Sequence, residues 1–131
     1  MLATVSMLAV AAVTLGSGTA SAAVPFYNKC KHLSVSNEWE NVIYNQNDRY
    51  VGMALFSSNG DNLYAVDSYA DGWGVVASLR GVRSVSTVGH NSPYTAGPVI
   101  GNLPEDKRYV LDVEMRNGSS GWIALGCEAY S

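Results

Sequence analysis

Apolar and polar side chains alternate near the carboxyl end of the chain, in the segment Arg108–Asn117. Tyr109, Leu111, Val113 and Met115 are separated by mostly charged residues. Successive side chains of an extended strand point to opposite faces. The pattern therefore predicts a strand with one face in a core and the other in water.

Other short segments of the chain are rich in β-branched and aromatic residues and are bounded by turn residues. Asn59-Gly60 and Asp71-Gly72 favour tight hairpins, because these residue types tolerate positive φ. No segment shows the apolar period of about 3.6 residues that marks a helix, so helix should be nearly absent. The predicted strands are Lys31–Ser36, Glu40–Asn45, Arg49–Phe56, Asn62–Ser68, Gly74–Leu79, Val82–Val88, Val99–Gly101, Arg108–Asn117 and Trp122–Ala129.

This arrangement predicts an all-β fold. Roughly seven to nine short strands, with turns about every eight to twelve residues, fit an antiparallel sandwich better than a barrel. No low-complexity linker divides residues 23–131. We therefore expect a single domain with one core.

The segment before the alternating strand contains Leu103, Pro104 and, six residues after the leucine, Tyr109. This spacing resembles the tyrosine corner of fibronectin type III and other immunoglobulin-like sandwiches. The resemblance covers about the last third of the chain and implies an immunoglobulin-like sandwich with its own strand pairing. It also implies that Tyr109 is buried and that its hydroxyl bonds to upstream backbone.

Three further segments, Asp67–Gly74, Gly89–Tyr94 and Gly101–Glu105, resemble parts of small secreted bacterial proteins that have no assigned activity. The resemblance implies export and compactness. It implies no substrate, cofactor or catalytic residue.

The first residues have the character of a targeting segment. Met7–Leu15 is apolar but shorter than the roughly 20 residues that span a bilayer. Ala20-Ser21-Ala22 then provides a cleavage pattern. We predict a signal peptide over residues 1–22 and a secreted, extracellular domain over residues 23–131. A retained membrane anchor is the alternative, although no stop-transfer pattern follows.

The two cysteines, Cys30 and Cys127, lie near opposite ends of the predicted mature chain. Two thiols in a small exported domain usually pair, so we predict a disulfide that holds the first and last strands side by side. A metal pair or a catalytic thiol is the alternative. His32 is close to Cys30 in sequence, but a disulfide-bonded sulfur does not bind zinc, and no third ligand is evident.

The net charge of −3 argues against non-specific nucleic-acid binding, which needs clustered basic residues. Asp61, Asp67 and Asp71 form the densest region of oxygen ligands and give a weak calcium alternative. Asp61 and Asp71 are also explained by turn chemistry, and Asp67 falls in a predicted strand. The sequence predicts no cofactor and no membrane contact once the signal is removed.

Aromatic residues are abundant, with eight Tyr, three Trp and two Phe. Tyr69, Trp73, His90 and Tyr94 fall in two predicted loops, and loops of a rigid sandwich commonly carry binding residues. We expect Trp73 and Tyr94 to be exposed at the same end of the domain. Ordinary use of aromatics on β-surfaces is the alternative.

A secreted monomeric module that binds or inhibits an unknown extracellular protein or polysaccharide is the preferred function. Self-association as a surface or matrix protein is the alternative. A small hydrolase is a third hypothesis, because His90 has Ser92 nearby and Asp67 or Asp71 could orient its ring. No serine elbow such as GxSxG is present in the sequence, so we do not predict an enzyme.

Overall fold

The computed structural model describes residues 25–131, in which every regular element is a β-strand. The predicted signal peptide, residues 1–22, lies outside the described residues. No helix in residues 25–131 has the length and apolar character to cross a bilayer. The strands are β1 (Phe26–Leu33), β2 (Glu38–Asn45), β3 (Tyr50–Ser57), β4 (Asn62–Asp67), β5 (Gly74–Leu79), β6 (Arg83–Ser86), β7 (Tyr94–Val99), β8 (Arg108–Asn117), β9 (Ser120–Ile123) and β10 (Cys127–Tyr130).

The strands form two five-stranded antiparallel sheets. The first sheet has the order β1-β2-β3-β4-β7, and the second has the order β10-β8-β5-β6 with β9 also paired to β8. Their inner faces share one hydrophobic core. The all-β, two-sheet prediction is confirmed, although residues 25–131 contain ten strands where we predicted roughly seven to nine. The largest fully buried apolar side chains are Ile43, Val51, Phe56 and Leu63 from the first sheet, and Val75, Leu79, Leu111, Val113 and Met115 from the second.

Several strand boundaries differ from the prediction. β1 begins at Phe26 and ends at Leu33, whereas we predicted Lys31–Ser36. β7 covers Tyr94–Val99, where we predicted a loop followed by a short strand at Val99–Gly101. The Gly and Pro residues of β7 hid this strand. They are tolerated because β7 is an edge strand that pairs only with β4.

The predicted final strand, Trp122–Ala129, is divided into β9 and β10. Four positions separate Ile123 from Cys127, but three separate their partners Glu114 and Leu111 on β8. The extra residue makes a bulge that interrupts the pairing. Gly126 is required at this bulge, because a Cβ atom there would lie 2.4 Å from the Val110 side chain.

Cys30 and Cys127 form the predicted disulfide, with their Cα atoms 5.6 Å apart. The expected side-by-side pairing of their strands is wrong, because β1 belongs to the first sheet and β10 to the second. Each strand pairs with a single neighbour on its own sheet, β1 with β2 and β10 with β8. The bond therefore links the two sheets where their edge strands meet.

Tyr109 is buried, with 7% of its surface exposed, as the tyrosine corner predicts. Its hydroxyl, however, has no hydrogen-bond partner in the described part of the chain, so the predicted bond is wrong. The upstream backbone has other partners. The Ser131 hydroxyl donates to the Pro104 carbonyl, and the Leu103 N–H donates to Asp61 Oδ2 over 2.7 Å.

Candidate functional site

Four loops gather at one end of the sandwich. On the first sheet, the end of β4 lies beside the start of β7. On the second sheet, Gly74 at the start of β5 lies opposite Arg116 near the end of β8. The four loops join β2 to β3, β4 to β5, β6 to β7 and β8 to β9. The last three surround a groove of about 620 Å³. The groove is lined by Asp67, Ala70, Gly72, Trp73, Gly74, Val88, Gly89, His90, Asn91, Ser92, Arg116 and Gly118.

Trp73 forms an aromatic part of the groove wall. It is half-buried, and its ring meets Phe26 edge-to-face with the ring centroids 5.1 Å apart. Phe26 also lies 5.6 Å from the Trp122 ring. Our expectation that Trp73 is exposed is wrong, because its side chain also packs against this end of the core. The Asp71 carboxylate accepts the Trp73 N–H over 2.9 Å and fixes the turn.

His90 lines the groove, and its ring stacks on Tyr94 with a centroid distance of 3.9 Å and an interplanar angle of 6°. Tyr94 is 36% exposed and lies at the same end of the domain as Trp73, but it does not line the groove. Tyr69 is also outside the lining. Its ring is covered by the Arg49 guanidinium at 4.6 Å, and its carbonyl accepts the Ser92 hydroxyl over 3.3 Å.

Charged groups of both signs line the groove. Asp67 is 3% exposed, and its carboxylate accepts the Tyr69 N–H over 3.3 Å. Arg116 is exposed and pairs with Glu114 over 2.9 Å. From the sequence we considered Asp67 only as a calcium ligand or as a partner of His90, and no sequence signal indicated Arg116. Its place in the groove follows from its pairing with Gly74 on β5, which the alternation along β8 does not predict.

The Asp71 carboxyl beside the groove has an altered acidity. Partial burial is the main cause that raises its pKa above the ordinary value of an aspartate, and the nearby Asp67 charge raises it further. The hydrogen bond from the Trp73 N–H acts in the opposite direction and is the smaller effect. The structure thus favours the protonated form of Asp71 more than water does.

The three aspartates of the calcium alternative do not form one site. Asp61 and Asp67 lie at opposite ends of β4, which at about 3.3 Å per residue places them roughly 20 Å apart. Across residues 25–131, no three His, Cys, Asp or Glu side chains are grouped to hold a metal ion. At the other end of the sandwich, His32 stacks on Trp39 with ring centroids 3.7 Å apart.

Of the residues of the hydrolase hypothesis, His90, Ser92 and Asp67 line the groove, whereas Asp71 does not. In the described residues no hydrogen bond joins His90 to Ser92 or Asp67, and the Ser92 hydroxyl donates to backbone instead. A serine nucleophile needs a base within hydrogen-bond reach. The observed contacts of these side chains hold the loops together.

No protein-family model, curated protein or solved structure matches this chain. The resemblance to fibronectin type III and immunoglobulin-like sandwiches therefore stays a prediction. Any functional proposal rests on the groove and its residues.

Proposed function

We propose that this chain is an exported, monomeric module that binds an extracellular protein or glycan surface through the groove. The observation that supports it best is the convergence of three loops, from both sheets, on one concave site. The site combines the aromatic wall of Trp73 with the polar groups of Asp67 and Arg116. Its volume falls within the roughly 300–1,000 Å³ of small-ligand sites.

Export is supported by two independent features. The apolar segment and small-residue cleavage pattern of residues 1–22 are typical of a signal peptide. The Cys30–Cys127 disulfide is compatible with an oxidising compartment outside the cytosol. We therefore place the domain outside the cell.

The loops are well suited to binding because their positions are fixed. The Trp73 ring is packed against Phe26, and the Ser92 hydroxyl ties one loop to the carbonyl of Tyr69 in the other. A preformed site loses less conformational entropy when a ligand binds. Binding through the groove thus needs no rearrangement of the fold.

A capture experiment tests the proposal. The protein without residues 1–22 is immobilised and exposed at micromolar concentration to secreted proteins and to solubilised cell-wall polysaccharide. We expect a retained component that Arg116→Gln loses. Arg108→Gln is the matched control, because both arginines lie on β8, are exposed and pair with a glutamate, but at opposite ends of the strand. No retained component, or equal retention by Arg116→Gln, would contradict the proposal.

Self-association is a second candidate function. Met53 and Leu55 on β3 lie on the outer face of the first sheet and are only half-buried. β1 is an edge strand, although Lys29 and Lys31 on it oppose edge-to-edge pairing. Sedimentation velocity over a wide concentration range distinguishes the candidates, since a concentration-independent monomer excludes self-association.

Hydrolysis is the third candidate, supported only by the presence of His90 and Ser92 in the groove. A set of hydrolase substrates, with His90→Ala as the control variant, tests it. Turnover that His90→Ala abolishes would replace the binding proposal with an enzyme.

A further inference from the structure

We infer that the groove is a carbohydrate site that accepts an uncharged sugar ring. This inference rests on the proposed function and names its ligand class. The groove offers two aromatic rings, the Trp73 indole and the His90 imidazole, together with one carboxylate and one guanidinium. It also offers the amide of Asn91 and the hydroxyl of Ser92. A polyhydroxylated ring has both an apolar face and a rim of groups that donate and accept hydrogen bonds, so it matches this combination.

The two charges of the groove favour an uncharged ligand. An anionic ligand would meet the Asp67 carboxylate, and a cationic ligand would meet the Arg116 guanidinium, since both line the same groove. A hydroxyl group satisfies both, because it donates to a carboxylate and accepts from a guanidinium. Charge-assisted hydrogen bonds of this kind are the stronger ones.

Asp67 is the most informative of these groups. It is almost fully buried, and its carboxylate accepts one hydrogen bond from the described residues, the N–H of Tyr69. An ionised carboxylate has about four acceptor sites, so Asp67 has capacity left for ligand hydroxyls. A ligand hydroxyl that donates to one of these free acceptor sites would form a charge-assisted hydrogen bond.

Glycines make room for a ring beside Trp73. Gly72, Gly74, Gly89 and Gly118 all line the groove. A Cβ atom at Gly74 would lie 2.9 Å from the Val88 side chain, so Gly74 allows close packing of Val88 and does not widen the groove. Gly72 and Gly89 have φ of +82° and +90°, and the space next to the Gly89 Cα is open. A flat ligand can therefore approach the Trp73 indole and the backbone together.

An extended peptide is the main competing ligand, and the position of the groove argues against it. Peptides in extended form commonly bind by adding a strand to an exposed sheet edge. The groove lies among loops at the end of the sandwich, and its lining includes no residue of the edge strands β1, β7, β6, β9 or β10. The geometry suits a compact ring better than an added strand.

Calorimetric titration at pH 7 tests the inference with β-1,4-linked hexamers of glucose, xylose, mannose and N-acetylglucosamine. The hexamer of unacetylated glucosamine is the cationic counterpart of the N-acetylglucosamine hexamer, and both are titrated at pH 6. A galacturonate hexamer is the anionic probe. We expect a neutral hexamer to bind the parent and Arg108→Gln equally. Asp67→Asn and Arg116→Gln should each weaken that binding about tenfold or more. The parent protein should bind the charged hexamers no more tightly than these two variants bind the neutral hexamer.

The outcomes separate this inference from the proposed function. If no neutral hexamer binds but a secreted protein is captured in an Arg116-dependent manner, the carbohydrate inference is overturned and the binding module stands. If a charged hexamer binds more tightly than the neutral ones, the charge argument is wrong. If no ligand depends on Arg116, both proposals fail. Arg116 is exposed, so its substitution gives a clear result even if Asp67→Asn disturbs folding.

Discussion

The Asn28 side-chain amide donates a hydrogen bond to Asn41 Oδ1 over 2.8 Å, and both amides also donate to the Leu125 carbonyl. Asn41 is fully buried and donates in addition to the Leu111 carbonyl over 3.0 Å. Asn28 and Asn41 lie on β1 and β2 of the first sheet, whereas Leu111 lies on β8 of the second. The network therefore links the two sheets through the core near the disulfide.

Asn41→Ala should lower the free energy of unfolding by about 2–4 kcal/mol, since it removes one buried and one partly buried hydrogen bond to carbonyls and leaves the Asn28 amide short of an acceptor. Urea unfolding measures the change. Asn102→Ala, at an exposed loop position, is the control and should stay within about 0.5 kcal/mol of the parent. An Asn41→Ala variant as stable as its control would show that the network contributes nothing.

Tyr109→Phe should leave stability unchanged or raise it by about 1 kcal/mol, because the lost hydroxyl is buried and has no partner in the described residues. Tyr109→Ala should instead lose roughly 3–5 kcal/mol through the cavity that it creates. Thermal or urea unfolding of both variants gives the comparison. If Tyr109→Phe lowers the free energy of unfolding by more than about 1 kcal/mol, the Tyr109 hydroxyl forms the hydrogen bond that the tyrosine corner implies.

Removal of the disulfide by a Cys30→Ala/Cys127→Ala double substitution should cost about 4–5 kcal/mol, because the bond closes a loop with a sequence separation of 97. Urea unfolding of the parent with a reductant should give the same midpoint as the double variant. If the parent is indifferent to reductant and also labels with a thiol reagent, the two cysteines are not bonded in solution.

Asp71→Asn should change the pH dependence of stability. The pKa of Asp71 is raised in the folded protein, so its ionised form disfavours folding at neutral pH, and this effect disappears as the pH falls through the folded pKa towards 3.8. An Asn side chain can still accept the Trp73 N–H and carries no charge. The variant should be at least as stable as the parent at pH 7, and its advantage should shrink in acid.

Melting curves of the parent and Asp71→Asn from pH 7 down to about pH 4 provide this measurement. Glu105→Gln, in the loop before β8 at the other end of the sandwich, controls for the loss of one negative charge. An Asp71→Asn advantage that grows in acid would mean that the pKa of Asp71 is lowered in the folded protein.

The fold could be predicted from the sequence for the strands that bury one face in the core and expose the other to solvent. The bounds of β5 and β8 agree with the prediction, because their alternation reflects a core side and a solvent side. β7 was missed because an edge strand tolerates Gly and Pro, which are strong breaker signals in sequence. The buried Asn41 was missed as well, since an isolated asparagine gives no sign that its partners are backbone carbonyls on another sheet.

The candidate site was predictable only in part. Turn signals and aromatics identified Trp73 and His90, which both line the groove. Arg116 belongs to the polar face of β8, and only its register with Gly74 brings it to the same place. Such long-range pairing is not encoded in local periodicity. The packing of Trp73 on Phe26 likewise depends on contact between segments distant in sequence.

Amide-resolved NMR titration of the labelled domain tests the central proposal most directly. The ligand is the neutral hexamer that binds by calorimetry or, if capture returns a protein, that protein. The groove account predicts that the largest shifts fall in residues 70–74, 88–92 and 116–118. Arg116→Gln should require a higher ligand concentration to reach the same shifts, whereas Arg108→Gln should not. Largest shifts at the opposite end, around His32, Trp39 and Tyr130, would contradict it.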